Sequence, residues 1–479
     1  MRTINFTNTI TTDILSIMAD KKPRHFIKGV QMPLFRVPDS GLFRADSLGW
    51  VMAGLILFVV ANVTAYSRRY LAGDRNQLSH HLCVLLLGAS VLCMVFADHL
   101  LVLLIAWTSS NLLLIRLMIH KARWVAARNS GLIALKNFGI GFIFLGSGFW
   151  ILAENTGTAS ISEIISGADN RTTQVFYGLL LITIATMTQS AIWPFHRWLN
   201  SSLNSPTPVS ALMHAGVING GGFLIVRFAP LYASQPLLMH GMFVAGLITA
   251  VAGSFWKLLQ TDIKRMLACS TIGQMGFMLM QCGMGLFAPA FSHLVWHGIF
   301  KAYLFLNAGS VLQEKRISMT THLSPLRIAV ACCSGAIGAL AFGVTSETDL
   351  SFANTSCMMI LLAFMATTQL AIGLLNKPMT ILRTAGTFLT GIAAGSLYGL
   401  NVRLIESALT PIHTPMPVPM DAIYFIGFVV IVLAWMAMIL NLPTRLQTQN
   451  WWKRLYMAAL NASQPHPSTV SATRTTYQS

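Results

Sequence analysis

The chain has 479 residues, of which 54% are hydrophobic and only 10% charged, with a formal net charge of +17. Soluble domains carry about 25% charged residues, so a soluble multidomain protein is excluded and an all-α polytopic membrane protein is expected. In that class a basic excess belongs to cytoplasmic loops rather than to a nucleic-acid surface, and no basic cluster with interleaved aromatics stands outside the loops.

Residues 1–46 form a polar segment with Lys21, Lys22, Arg24, Lys28, Arg36 and Arg44 and no run long enough to span. No apolar core follows the first basic residues, so a secretory signal is not expected. From Ser47 apolar runs of about 20 residues recur, each long enough to cross about 30 Å as helix. They predict about 13 transmembrane helices, near 47–66, 79–97, 99–119, 131–153, 174–200, 206–229, 237–257, 266–286, 290–312, 326–344, 355–375, 380–402 and 421–441. The transmembrane domain is thus 47–441, and 442–479 is a tail whose WWKRLYMAAL segment is expected to lie along the interface.

Alternate loops on one side hold Arg68, Arg69, Arg75, Lys121, Arg123, Arg128, Lys257, Lys264, Arg265, Lys315, Arg316 and Lys377, as well as the basic tail. The other side holds little beyond Arg171 and Arg403. The first set, and with it the C-terminus, is expected in the cytoplasm. An odd number of spans then puts the basic N-terminal segment outside, against the same rule.

In the third span Thr108, Ser109, Ser110 and Asn111 offer oxygens, as does Gln189 in the fifth. Sodium would want several such ligands. The fifth span then runs into Trp193-Pro194-Phe195-His196-Arg197-Trp198. Proline removes a helix hydrogen bond and crowds the preceding turn, so a broken helix is predicted near Pro194, with His196 as possible polar lining of a cavity. The alternative is an exit from the membrane with Trp193 and Trp198 as interfacial anchors. Pro206 and Pro208 suit a helix start, and His214 follows about two turns in, open to a packing or a functional role. Gly220, Gly221 and Gly222 allow close helix approach. Asp262 is placed to cap the following helix and to pair with Lys264 or Arg265.

The seven cysteines, Cys83, Cys93, Cys269, Cys282, Cys332, Cys333 and Cys357, lie in apolar stretches without a CxxC or zinc spacing. They read as small buried hydrophobes, and neither a metal nor another cofactor is expected on this chain. In HLVWHGIFKAYLFLNAGS, His293, His297 and Lys301 stand four residues apart. On a helix each step of four turns the side chain about 40° and climbs about 6 Å, giving a tilted row. Ionisable residues are costly at bilayer depth. Histidine exchanges protons around neutral pH, and a lysine withdrawn from water can join it. The row therefore predicts a proton path, against the alternative of hydrogen-bonded helix contacts.

Three motifs now stand in order: PFHRWLNSSLNSPTPVSALMHAGVINGGGFLIVR, TDIKRMLACSTIGQMGFM and FSHLVWHGIFKAYLFLNAGS. Together they resemble the antiporter-like family shared by the membrane arm of respiratory complex I and Mrp-type cation/proton antiporters. The resemblance covers roughly 42–315 and fades beyond about 320. Within the family, WPFHRWL, HAGVINGGGFLIVRFAPL and WHGIFKAYLFLNAGS are most similar to the membrane subunits of two-component inorganic carbon transporters. That narrower resemblance implies an inward flux of protons or sodium driving CO2 hydration on a large, zinc-bearing peripheral partner of DabA type. It also implies a multi-pass protein of the bacterial inner membrane that is not itself an enzyme.

Carried over by motif, the resemblance places His214, Asp262, Lys264, His293, His297 and Lys301 in the proton path. Two departures are visible. Thr108 stands where respiratory members keep a glutamate, and Gln189 leads Ser190-Ala191-Ile192 where they keep a lysine. The Glu–Lys switch is therefore missing, which favours a one-way conduit over a full pumping cycle. Two other readings stay open: an antiporter-like subunit of a respiratory or hydrogenase complex, and a non-conducting anchor, which the buried row argues against.

Overall fold

A computed structural model describes residues 41–168, 172–309, 324–348, 351, 353–375, 380–409, 417–440 and 442–470. The first forty residues of the predicted N-terminal segment and the last nine of the tail lie outside them. The described chain is all-α, with isolated bridges as its only extended pairing. In order the helices are α1 (Ser47–Tyr70), α2 (Gln77–Phe96), α3 (Leu100–Met118), α4 (Val125–Thr156), α5 (Thr173–Gln189), α6 (Thr207–Arg227) and α7 (Pro236–Leu259). Then come α8 (Ile263–Gly283), α9 (Phe287–Leu306), α10 (Pro325–Ser346), α11 (Ser356–Leu374), α12 (Ile381–Leu409), α13 (Ala422–Ile439) and the tail helix α14 (Asn450–Ser463).

Ten helices among the described residues are long and apolar enough to cross a membrane, so by that measure the protein is multi-pass but the expected count of about 13 is not reached. The helices left out are α5, α8 and α9. Helix α5 has only 17 residues, and the polar row of α9 lowers its apolarity.

Asp46 starts the bundle. Its Oδ1 accepts from Gly49 N at 2.8 Å, capping α1. Its second oxygen pairs with Arg227 at the end of α6, and Arg227 Nη2 donates to Val95 O at 2.9 Å. One carboxylate thus ties three helix ends. Helix α6 is central, with 94% of its most apolar stretch buried. Helices α7 and α8 pack backbone to backbone through facing glycines. A Cβ on Gly276 would come within 2.7 Å of Thr249 and 2.8 Å of Gly246 O, so small residues set this approach.

One buried core joins α1 to α9, and a second gathers Phe243, Met280, Phe342, Met358 and Tyr424. Helix α13 turns Phe425, Ile426 and Leu433 outward, as a lipid-facing helix would. The expectation of uniformly buried cysteines is corrected: Cys269, Cys282 and Cys357 are buried, whereas Cys93 and Cys333 are exposed and Cys83 and Cys332 intermediate. An apolar stretch that spans a membrane has an outward face as well as a core face, and the sequence does not mark which one a small residue occupies.

The predicted break is present, though it begins before the proline. Helix α5 stops at Gln189, and short turns at Arg197–Asn200 and Ser201–Asn204 lead to α6. Pro194 would crowd the carbonyl four residues back, at Ser190, so regular helix ends just before it. Ala191 adopts the left-handed conformation, φ 53°, which costs an L-residue about 1–2 kcal/mol. Trp198 is no interfacial anchor; it is buried and donates to Thr188 O at 3.0 Å.

Candidate functional site

Helix α9 is amphipathic in an inverted sense. Trp296, Phe300 and Tyr303 face outward, while His297 and Lys301 are buried against the bundle. Charge costs less against protein dipoles than against hydrocarbon, so the polar row turns inward.

His293 and His297 lie nearly parallel, ring centroids 6.1 Å apart, with the edge of Phe277 against His293. His297 Nδ1 meets Asn219 Oδ1 at 3.3 Å. Asn219 commits its amide N–H to Ala215 O at 2.8 Å, which leaves Oδ1 to accept from the imidazole. The Nε2 atoms of both histidines are buried and unpartnered among the described residues.

Lys301, 1% exposed, donates to Leu267 O at 3.1 Å and to Ser270 Oγ at 3.0 Å. None of the four ion pairs among the described residues includes it. Its ammonium therefore leans on neutral dipoles. The Leu267 carbonyl also accepts from Thr271 Oγ1 at 3.0 Å, and Thr271 Oγ1 lies 3.0 Å from His214 Nδ1. With its own proton given to Leu267, Thr271 accepts from His214. An unbroken string thus runs Lys301, Leu267 O, Thr271, His214. The His214 ring is flat against Phe305, one turn beyond Lys301, at 4.3 Å.

His214 sits in a π-turn, Met213–Val217, confirmed by Ile218 N donating to Met213 O at 3.1 Å. Such turns are rare and concentrate at functional positions. The break in α5 supplies the partners: Gln189 Nε2 donates to Val217 O at 3.1 Å and Ser190 Oγ to Ile218 O at 2.9 Å. The two irregular segments complete each other's hydrogen bonding. The glycines are used as expected, since a Cβ on Gly222 would come within 2.7 Å of Leu294 on α9.

The remaining predicted residues are dispersed. Thr108 Oγ1 donates to Leu104 O in its own helix at 2.8 Å. Asn111 and Gln189 exchange two hydrogen bonds, each 3.0 Å. His196 is held against Trp256, with Nε2 3.2 Å from Ala462 O of the tail, rather than facing an open cavity. Asp262 is exposed and caps α8, accepting from Arg265 N at 2.9 Å. Lys264 does not pair with it but donates to Ser205 O at 3.2 Å, and Arg265 reaches Gln464. Asp98, just before α3, accepts from Ser160 and Ser162. Sequence reasoning missed Ser270, Thr271 and Asn219. Their one signal is polarity inside otherwise apolar helices.

Chemically, the assembly offers two groups, Lys301 and His214 held through Leu267 O and Thr271, and the half-buried His293 stacked on the buried His297, which bonds Asn219. Imidazole accepts a proton on one nitrogen while releasing one from the other, so it relays without moving far. Asn111 and Gln189 accept from each other's amide N–H groups rather than turning both oxygens to a common point.

Residues 97–380 match the family described as NADH:quinone oxidoreductase/Mrp antiporter, TM. Among curated proteins, the chain is 36% identical over 283 residues to "Probable inorganic carbon transporter subunit DabB1" of Halothiobacillus neapolitanus, covering 58% of this chain and 51% of that one. It is 34% identical over 311 residues to the "Probable inorganic carbon transporter subunit DabB" of Bacillus anthracis, 63% of this chain and 60% of that one. It is also 34% identical over 278 residues to NADH-quinone oxidoreductase subunit L of Pseudomonas aeruginosa, 56% and 44%. The chain therefore spans about half to three-fifths of the length of the carbon-transporter relatives. The solved Mrp complex from Dietzia sp. shares the fold, at TM-score 0.55, 24% identity and coverage of 88% of this chain and 45% of that one.

Proposed function

This chain belongs to the NADH:quinone oxidoreductase/Mrp antiporter transmembrane family, and from that premise we propose that it is the proton-conducting membrane subunit of an energy-coupled inorganic carbon transporter. The observation that carries the reading is the gathering of Lys301 and His214 beside the His293–His297 pair, with Leu267 O and Thr271 holding Lys301 and His214 in place; the carbonyl accepts from both sides, so it positions these groups and does not itself pass a proton. A membrane anchor gains nothing from burying His214, His297 and Lys301 at several kcal/mol each. The names of the carbon-transporter relatives supply the substrate.

Protons are preferred to sodium, because Asn111 and Gln189 turn their amide oxygens to each other's N–H groups. Asp262 and Lys264 stand at the entrance of the path and His214, His293, His297 and Lys301 within it. The partner is a DabA-type, zinc-bearing peripheral protein that carries out CO2 hydration, docked on the loops rich in Lys and Arg. The protein sits in the bacterial inner membrane with its C-terminus in the cytoplasm.

Affinity purification in mild detergent tests this. A large soluble subunit should co-purify, the complex should contain zinc, and the chain alone should contain none in stoichiometric amount and should not hydrate CO2. One tightly held zinc per isolated chain, or carbon uptake by this chain alone in a host without carbonic anhydrase, would overturn the assignment. The match to subunit L favours a second reading, a proton-translocating subunit of a respiratory or hydrogenase complex. Quinone-linked subunits in the same purification would select it.

A further inference from the structure

Away from the row, three histidines meet where α1, α2 and α3 end or begin. His120, just after α3, places Nε2 3.1 Å from Asp74 Oδ2 in the α1–α2 turn. The His120 ring stands edge-on to His80 at 5.4 Å, and His80 stands edge-on to His81 at 5.9 Å. His80 and His120 are 2% and 5% exposed.

The proton positions follow from the partners. Ser67 gives its hydroxyl proton to Val63 O at 2.6 Å, so its oxygen, 3.4 Å from His80 Nε2, accepts from that nitrogen. His81 Nδ1 donates to Gln77 O at 2.7 Å. The nitrogens left over, His80 Nδ1 and His81 Nε2, are buried lone pairs without a partner among the described residues. A buried acceptor without a donor costs about 1–3 kcal/mol, and two adjacent ones are a site short of a ligand. No group of His, Cys, Asp and Glu among the described residues is arranged to hold a metal ion. The ligand that fits a lone pair in so little room is a proton.

We propose that Asp74, His120, His80 and His81 form a second proton-binding site, which exchanges protons with the aqueous phase on the side of the basic loops. Water or buffer gives a proton to His80 Nδ1: an N–H bond forms, the donor's bond to hydrogen breaks, and the conjugate base stays in solution. The positive charge is balanced by Asp74, bonded to His120. The charged groups facing the cluster are Asp74 from the α1–α2 turn and Lys121 from the α3–α4 turn. Asp74 is held below the usual carboxylate range by the Asn76 N–H and by His120, so it stays ionised throughout the working range. This proposal rests on the proton reading above.

Two measurements on the full chain in lipid nanodiscs and proteoliposomes test it. Mass spectrometry of deuterium exchange at the imidazole C–H reports each histidine separately. Asp74→Asn should shift the pH dependence of exchange at His80 downward by about one unit, a factor of ten in proton occupancy, while leaving His214, His293 and His297 unchanged. Proton flux, read with a trapped pH dye, should fall about tenfold in His80→Gln and shift to lower pH in Asp74→Asn. Unaltered flux in both variants, or exchange curves indifferent to Asp74, would overturn the second site. Should the wild-type chain carry no proton flux, the conduction reading falls, and the exchange curves alone then decide whether the cluster binds protons.

Discussion

Lys301 and His214 lie on different helices and meet at a single peptide oxygen. Leu267 O receives Lys301 Nζ at 3.1 Å and Thr271 Oγ1 at 3.0 Å, and Thr271 passes the connection to His214 Nδ1 at 3.0 Å. Two side chains 87 positions apart in sequence thereby share one turn of α8.

Thr271 is the joint most open to test. Thr271→Val keeps the shape and removes the hydroxyl, leaving His214 Nδ1 without its acceptor at a cost of about 1–3 kcal/mol. Proton flux in proteoliposomes should fall at least about tenfold, and Thr271→Ser should restore it. A valine variant that conducts like the wild type would dissolve the string.

Lys301 separates charge from exchange. Methionine fills the same volume without charge, and arginine keeps the charge but does not release its proton. Both Lys301→Met and Lys301→Arg should lose proton flux and bicarbonate-dependent growth rescue, with membrane insertion and partner binding intact. Activity in the arginine variant would show that a fixed charge suffices.

The Asn111–Gln189 pair is expected to act as structure. Gln189→Leu strands the Val217 carbonyl and one side of Asn111, and should lower thermal stability by about 2–4 kcal/mol. Adding Asn111→Leu should cost less than the sum of the two single changes, because the partners are lost together. A thermal double-mutant cycle with no coupling would contradict the pairing. Loss of activity joined to dependence on external sodium would point to cation ligation instead.

The Asp74 carboxylate gives a pH signature. Its folded value lies below the ordinary one, so its contribution to stability is complete above about pH 4 and is lost as pH falls through the lower folded value. Thermal unfolding of the wild type should drop across that acid range, and Asp74→Asn should drop less steeply. Parallel curves would show that the turn gains nothing from the ionised carboxylate.

Much of the bundle was legible because helix-length apolar runs report directly on spans, and His293, His297 and Lys301 stand out as ionisable residues inside one. The break was legible through Pro194, although its hydrogen-bonding partner, the π-turn, was not. Periodicity records which residues share a helix face and is silent about bonds such as Gln189 to Val217 or Lys301 to Leu267, which join separate helices. The cap at Asp262 was legible from its place before a helix, whereas Asp98 is occupied by serines that the pattern does not bring to it. The histidines at 80, 81 and 120 went unread because two stand at the start of α2 and the third in the turn after α3.

The π-turn also bears on how this helix tolerates change in chain length. Five residues close a ring that four would close in ordinary helix, so Met213–Val217 holds one residue more than a regular turn needs. Removing any one of the five would let the helix run straight. Everything downstream would keep its facing, because the wide turn is what absorbs the extra residue, so Asn219 would stay beside His297 and Arg227 beside Asp46. A one-residue deletion there should therefore be tolerated better than an equal deletion in the regular helix at 223–226, where the residues that follow would swing by about 100°.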